Sequence, residues 1–144
     1  MKISEVMTPD VEIVRPGDTL RTAAQMMADI DAGVLPVCDG ERLVGMVTDR
    51  DITVRAVAAG SDPENTPVRE VMSEELRYCF EDDDVEEVSK KMAGWHVRRV
   101  PVLDRDKRLV GIVSLGDLAI GGAEEESREA LKEISEAPST ETKA

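Results

Sequence analysis

Two short segments carry the residues best suited to chemistry: "GMVTDRD" at 45–51 and "GIVSLGD" at 111–117. Each places a glycine and two apolar residues before a hydroxyl, Thr48 or Ser114, with a carboxylate, Asp51 or Asp117, three positions later. A carboxylate only accepts hydrogen bonds, so it suits a cis-diol, whose two hydroxyls donate together, as in a ribose. A hydroxyl at a strand-to-helix junction caps the helix, and the exposed N–H groups of its first turn favour an anion. Gly45 and Gly111 sit inside apolar strands, where the missing side chain admits another backbone or a ligand at close range. Ser, Thr and Asp are also good caps in their own right, so capping alone is the competing reading.

The two segments differ in their surroundings. "HVRRVPV" at 96–102 brings Arg98 and Arg99 beside His96, whereas the matching "DAGVLPV" at 31–37 has Asp31, Gly33 and Val34. Guanidinium forks match phosphate oxygens, so a phosphate-bearing ligand is expected with Ser114 and Asp117. The Thr48 and Asp51 site has Arg50 but no arginine pair. It is expected to be empty or to hold a less charged ligand more weakly. The competing reading of Arg98 and Arg99 is a solvated strand edge or salt bridges to the abundant carboxylates, and that of His96 a packed or surface residue.

The elements that position these residues are written twice. "VMT" at 6–8 matches "VMS" at 71–73 and Pro36 matches Pro101, both 65 apart, while Gly45 and Gly111 are 66 apart. One residue has therefore been inserted in the intervening turn of a duplicated unit. In the first copy Val11 and Ile13 alternate as a strand before "RPGD", and Asp18 or Thr19 caps a helix bearing Leu20, Ala23, Ala24 and Met27. "VLPV", an Asp39-Gly40 turn and "RLVGMVT" then form a hairpin, and a second helix from Asp49 ends at Gly60. The second copy has Asp83 or Asp84 as cap, a stripe of Val85, Val88, Met92 and Trp95, a second hairpin, and a shorter helix ending at Gly121-Gly122. The fold class is α+β (α/β), two β-α-β-β-α repeats expected to pack their sheets together about a pseudo-twofold axis. The expected divisions are repeat 1 over 1–60, a linker over 61–70, repeat 2 over 71–123, and over 124–144 an acidic surface helix and disordered tail.

Composition narrows the partners. A formal net charge of −13 repels phosphate backbones and anionic lipid, which disfavours nucleic acid and membrane surfaces without excluding a small anion at a local basic cluster. No apolar run reaches the length of about 20 residues that spans a bilayer, and the start lacks a signal peptide's apolar core, so a cytoplasmic location is expected. Cys38 and Cys79 read as small buried hydrophobes of a reducing compartment, with their pairing left open. Catalysis is not expected: the single histidine has no local nucleophile, and there is no Walker-type glycine loop. The runs "EDDD" and "EEE" read as helix starts and solvated faces, and a metal site built on His96 is disfavoured.

The duplicated unit, with its "VMT" and "VMS" openings, "LPV" and "VPV" strands and "GMVTDRD" and "GIVSLGD" closings, resembles a tandem pair of CBS domains, a Bateman module, over about residues 4–122. The resemblance implies a regulatory pair that binds adenine nucleotides, AMP, ADP or ATP, or S-adenosylmethionine, in clefts between the repeats, with no required cofactor. It carries ribose and phosphate roles onto Ser114, Asp117, Arg98 and Arg99, with Ile112, Glu12, Ala32 and Val34 forming the adenine slot. For the weaker cleft it points to Thr48, Asp51 and Arg50, with Met46, Arg77 and Val97 around the base. It also implies a homodimer built through the helices, acting on another, unknown protein or through its own assembly. The competing expectation is an interaction module with empty clefts.

Overall fold

The computed structural model describes residues 1–120 and 124–135. In chain order its elements are β1 (Thr8–Pro9), α1 (Leu20–Ile30), β2 (Val34–Asp39), β3 (Arg42–Thr48), α2 (Asp49–Asp51), β4 (Cys79–Phe80), α3 (Val85–Trp95), β5 (Arg99–Leu103), β6 (Leu109–Ser114), α4 (Leu115–Ile120) and α5 (Glu124–Ser135). They form two compact units, one of residues 12–76, the other of residues 1–11 together with 77 onward.

In the 12–76 unit, α1 buries Leu20, Ala23 and Met27 of the expected stripe, while Ala24 faces outward and is exposed. Thr19 is its cap, its side chain accepting from the Thr22 N–H at 3.2 Å. Asp18 closes the preceding turn instead, its carboxylate accepting from the Arg15 N–H at 2.8 Å. Leu20 and Arg21 donate their N–H groups to the Thr66 and Pro63 carbonyls, both at 3.0 Å, so the segment following the first repeat satisfies donors that a helix start leaves open. Helix α2 runs on into a π-helical turn over Ile52–Val57, where Ala58 bonds back to Thr53. The core comprises Val14, Leu20, Leu35, Val37, Val47, Ala56 and Val68 with their neighbours.

Two local expectations are corrected here. The strand expected at Val11 and Ile13 is a single parallel bridge from Val14 to Val37, the one position in that stretch that is buried. The β2–β3 hairpin pairs Asp39 with Arg42, so its two-residue turn is Gly40-Glu41 rather than Asp39-Gly40. Gly40 has φ +65°, so the turn is placed where glycine can enter the left-handed region.

The other unit holds an antiparallel β5–β6 hairpin flanked by β1 on one side and by β4, parallel to β5, on the other. Asp84 stands at the capping position before α3 but its side chain makes no cap bond, while the Asp83 carboxylate accepts from the Phe80 N–H at 2.9 Å. Ile3, Val88, Met92, Val100, Val102, Val113 and Leu118 lie in the core. The inserted residue sits in the β5–β6 turn, where Asp104 accepts from the Asp106 and Arg108 N–H groups, both at 2.9 Å, and Lys107 has φ +64°. Helix α5 packs against α3 and α4, with Ile134 against the core and Leu131 exposed. Gly121, Gly122 and the tail expected to be disordered lie outside the described residues.

The opening segments are exchanged. Thr8 and Pro9, which open the first repeat, pair with Ile112 and Gly111 of the second hairpin, while Ser73 of the second opening bridges Met46 of the first hairpin. This pairing explains the strand glycines. A Cβ on Gly111 would lie 2.7 Å from Met7 Sδ and 2.9 Å from the Thr8 carbonyl oxygen; on Gly45 it would lie 2.7 Å from Met72 Sδ and 2.8 Å from the Ser73 carbonyl oxygen. The space freed by each glycine is filled by methionine and backbone.

Candidate functional site

Ser114 ends β6 and Asp117 lies in the first turn of α4, and they form a reciprocal box. Asp117 Oδ2 accepts from the Ser114 N–H at 2.9 Å, and Ser114 Oγ accepts from the Asp117 N–H at 3.1 Å. Capping is thus real, but it engages one carboxylate oxygen; among the described residues Oδ1 has no donor. Arg99 is the cross-strand partner of Ser114, and the Arg98 carbonyl accepts from the Leu115 N–H at 3.1 Å. Ladder geometry thereby sets both arginines at the end of the hairpin where the box lies. Both side chains are exposed, and among the described residues neither is in an ion pair.

The first repeat builds the same box, with Asp51 Oδ2 accepting from the Thr48 N–H and Thr48 Oγ1 from the Asp51 N–H, both at 2.9 Å. Here Asp51 Oδ1 faces Arg55 Nε at 3.8 Å. Val34 stands opposite Thr48 where Arg99 stands opposite Ser114, and the Gly33 carbonyl accepts from the Asp49 N–H at 2.9 Å. The carboxylate of Asp49 lies against Gly33: a Cβ there would come within 2.9 Å of Oδ2. Arg50 is exposed, its N–H donating to Asp49 Oδ1 at 2.8 Å.

The expected site residues divide between the units. Ser114, Asp117, Arg98, Arg99 and Ile112 share one with Arg77 and Val97; Thr48, Asp51, Arg50 and Met46 share the other with Glu12, Ala32 and Val34. Arg77 donates to the Trp95 carbonyl at 3.1 Å, at the end of α3, and the Val97 N–H donates to the Met92 carbonyl at 3.1 Å. His96 takes the left-handed conformation, φ +57°, that ends α3, as Asp31 does after α1. Glu12 lines an open cleft of about 450 Å³ along α1 with Arg21, Gln25 and Met26. Asp117 also lines a cleft of about 360 Å³ with Met1, Glu5, Val6 and Ile120, residues that sequence reasoning passed over. Met7 and Met72 were missed as well, although their recurrence in "VMT" and "VMS" was the signal.

Cys38 and Cys79 are both free and buried. Burial pushes the Cys38 thiol up to about 11, partly offset by Arg15. It pushes Cys79 up to about 12, with Asp83 adding and Lys91 opposing. Neither has the thiolate character of a nucleophile. Among the described residues no three His, Cys, Asp or Glu side chains are grouped to hold a metal ion, and no helix is long and apolar enough to cross a membrane.

Each repeat thus closes its hairpin with one hydroxyl and carboxylate box; the CBS domain family matches residues 3–57 and 68–121, and the chain belongs to that family as a pair of repeats. It is 42% identical over 125 residues to the CBS domain-containing protein YhcV of Bacillus subtilis (strain 168), covering 87% of this chain and 88% of the relative. Its fold superposes on the crystal structure of Hypoxic Response Protein I with two coordinated zinc ions, with a TM-score of 0.76, 38% identity and coverage of 84% and 98%. The cytosolic domain of the Mg2+ channel MgtE in complex with ATP gives a TM-score of 0.71 and 33% identity over 83% of this chain and 48% of that one.

Proposed function

We propose that the chain is a regulatory module that binds an adenine nucleotide at the Ser114 and Asp117 box and modulates a partner protein according to the ligand bound. The observation that carries this reading is the pair of exposed guanidiniums, Arg99 in register with Ser114 and Arg98 next to it in the chain, both free of ion pairs among the described residues. Their forks take the phosphates, the Oδ1 of Asp117 takes the ribose diol, and half-buried Ile112 offers apolar surface to the base. The ATP complex of the 33% identical MgtE domain supports the ligand class. Regulation requires that nucleotide bind one conformation better than another; tight binding alone shifts nothing. No turnover is expected, since neither thiol is activated and the carboxylates serve as acceptors. The reading includes a cytoplasmic site of action.

Calorimetric titration with AMP, ADP, ATP and S-adenosylmethionine tests it. A saturable nucleotide site is expected, weakening as salt rises, and Arg98→Ala with Arg99→Ala should weaken ADP by about tenfold or more. Asp117→Asn, which keeps a cap acceptor, should weaken adenosine and ADP alike. A second reading, an interaction module acting through homodimerisation, is favoured by Val54 and Val57, 51% and 62% exposed on the second helix of the first repeat. Absence of heat with every ligand, together with a dimer lost in Val57→Asp, would select it.

A further inference from the structure

We propose that Asp49 acts as a charge filter, making the Thr48 and Asp51 site select an uncharged or cationic nucleoside over a nucleotide. The proposal rests on the reading above, that this type of box binds an adenosine group, and adds which class the first repeat accepts.

The two repeats hold one corner with the same backbone bond. Asp49 donates its N–H to Gly33, and Leu115 donates its N–H to Arg98, at 2.9 Å and 3.1 Å. Around that bond the side chains differ in charge: Gly33, Val34 and Asp49 carry −1, which Arg50 next in the chain brings to zero, and Arg98, Arg99, Leu115 and Gly116 carry +2. The difference is coupled by contact. With Asp49 Oδ2 lying 2.9 Å from where a Cβ on Gly33 would stand, a side chain at position 33 and a carboxylate at position 49 compete for one space. The first repeat has taken the carboxylate and the second the guanidinium. Asp49 Oδ1 is held by the Arg50 N–H at 2.8 Å, which fixes the charge beside the box. The Asp51 carboxylate that would accept a diol sits two residues on, so a phosphate attached to that ribose would meet Asp49 where the second repeat offers Arg98. A neutral adenosine meets no such repulsion, and a cationic adenosyl group is attracted.

The test uses the full chain with the second-repeat site silenced by Arg98→Ala, Arg99→Ala and Asp117→Asn, titrated with adenosine and with ADP. Adenosine is expected to saturate one site, with ADP weaker by about tenfold or more at low salt and by less at high salt. Asp49→Asn, which keeps the acceptor for the Arg50 N–H, should narrow that ratio, and Gly33→Arg combined with Asp49→Leu should reverse it. If ADP binds as tightly as adenosine in the silenced chain, if Asp49→Asn leaves the ratio unchanged, or if adenosine does not bind there at all, the filter is overturned. Nucleotide binding by the unsubstituted chain and its loss with Arg98 and Arg99 decide the parent reading separately. Should the double variant fail to fold by circular dichroism, Asp49→Asn alone decides.

Discussion

Asp117 closes a helix with one carboxylate oxygen and leaves the other open; Asp51 makes the same cap bond, but its second oxygen faces Arg55. Removing the hydroxyl half of either box, by Ser114→Ala or Thr48→Ala, should cost about 1 kcal/mol in urea unfolding, whereas Thr48→Ser should cost a few tenths. Gly111→Ala and Gly45→Ala should each cost about 1–3 kcal/mol, because a backbone carbonyl stands within 2.9 Å of the added atom and the strand itself has to move. The hydroxyls, carboxylates and arginines were legible as residue types, since each type implies its chemistry. What fills the glycine space was not legible, because a missing side chain does not say which neighbour approaches. The thiols carry a pH signature as well. With folded values raised from 9.0 to about 11 for Cys38 and about 12 for Cys79, the native state keeps protons that the unfolded chain releases. Stability should therefore be unaffected by these groups below pH 9 and should fall as pH rises above it, read from unfolding curves at pH 8 and 10. Thiol reagents at pH 8 should react only once the chain is unfolded.

Helices α1 and α3 are one element written twice, each ending in a left-handed residue, yet they differ where Ala24 is exposed and its counterpart Ser89 is fully buried. The Ser89 hydroxyl has no partner among the described residues, so it carries a desolvation cost with no bond to offset it. Ser89→Ala should raise stability by up to about 1 kcal/mol in thermal melts, a result opposite in sign to most buried substitutions. Helix positions were readable because a 3.6-residue period runs through Leu20, Ala23 and Met27 and again through Val85, Val88 and Met92. The short strands were harder to read: a single bridge at Val14 has no period to detect. The Gly40-Glu41 turn was misplaced by one residue because Asp39-Gly40 has the composition of a turn, while the observed Asp39–Arg42 pairing is fixed across the hairpin. The 61–70 segment reads as a linker, but its Pro63 and Thr66 carbonyls hold the start of α1 in place.

At the scale of the molecule the duplication was plain from the two constant offsets, but the exchange of opening segments was not, since a repeat reads the same whether each copy pairs with itself or with its sister. Ile3, fully buried in the core of the second hairpin's unit, makes the exchange measurable: Ile3→Ala should cost about 2–5 kcal/mol. That cost should appear as loss of hydrogen-exchange protection in β5 and β6 before β2 and β3. The exchange also orders events during synthesis. The strand pairings and bridges of the 12–76 unit all fall within those residues, whereas Met1–Ser4 must wait for residues 81–85, and Thr8 and Pro9 for Gly111 and Ile112, to leave the ribosome. A gene cut between its two copies would therefore yield halves that each carry the other's strand, and such a half could regain a complete sheet only by trading leaders with a second molecule of itself.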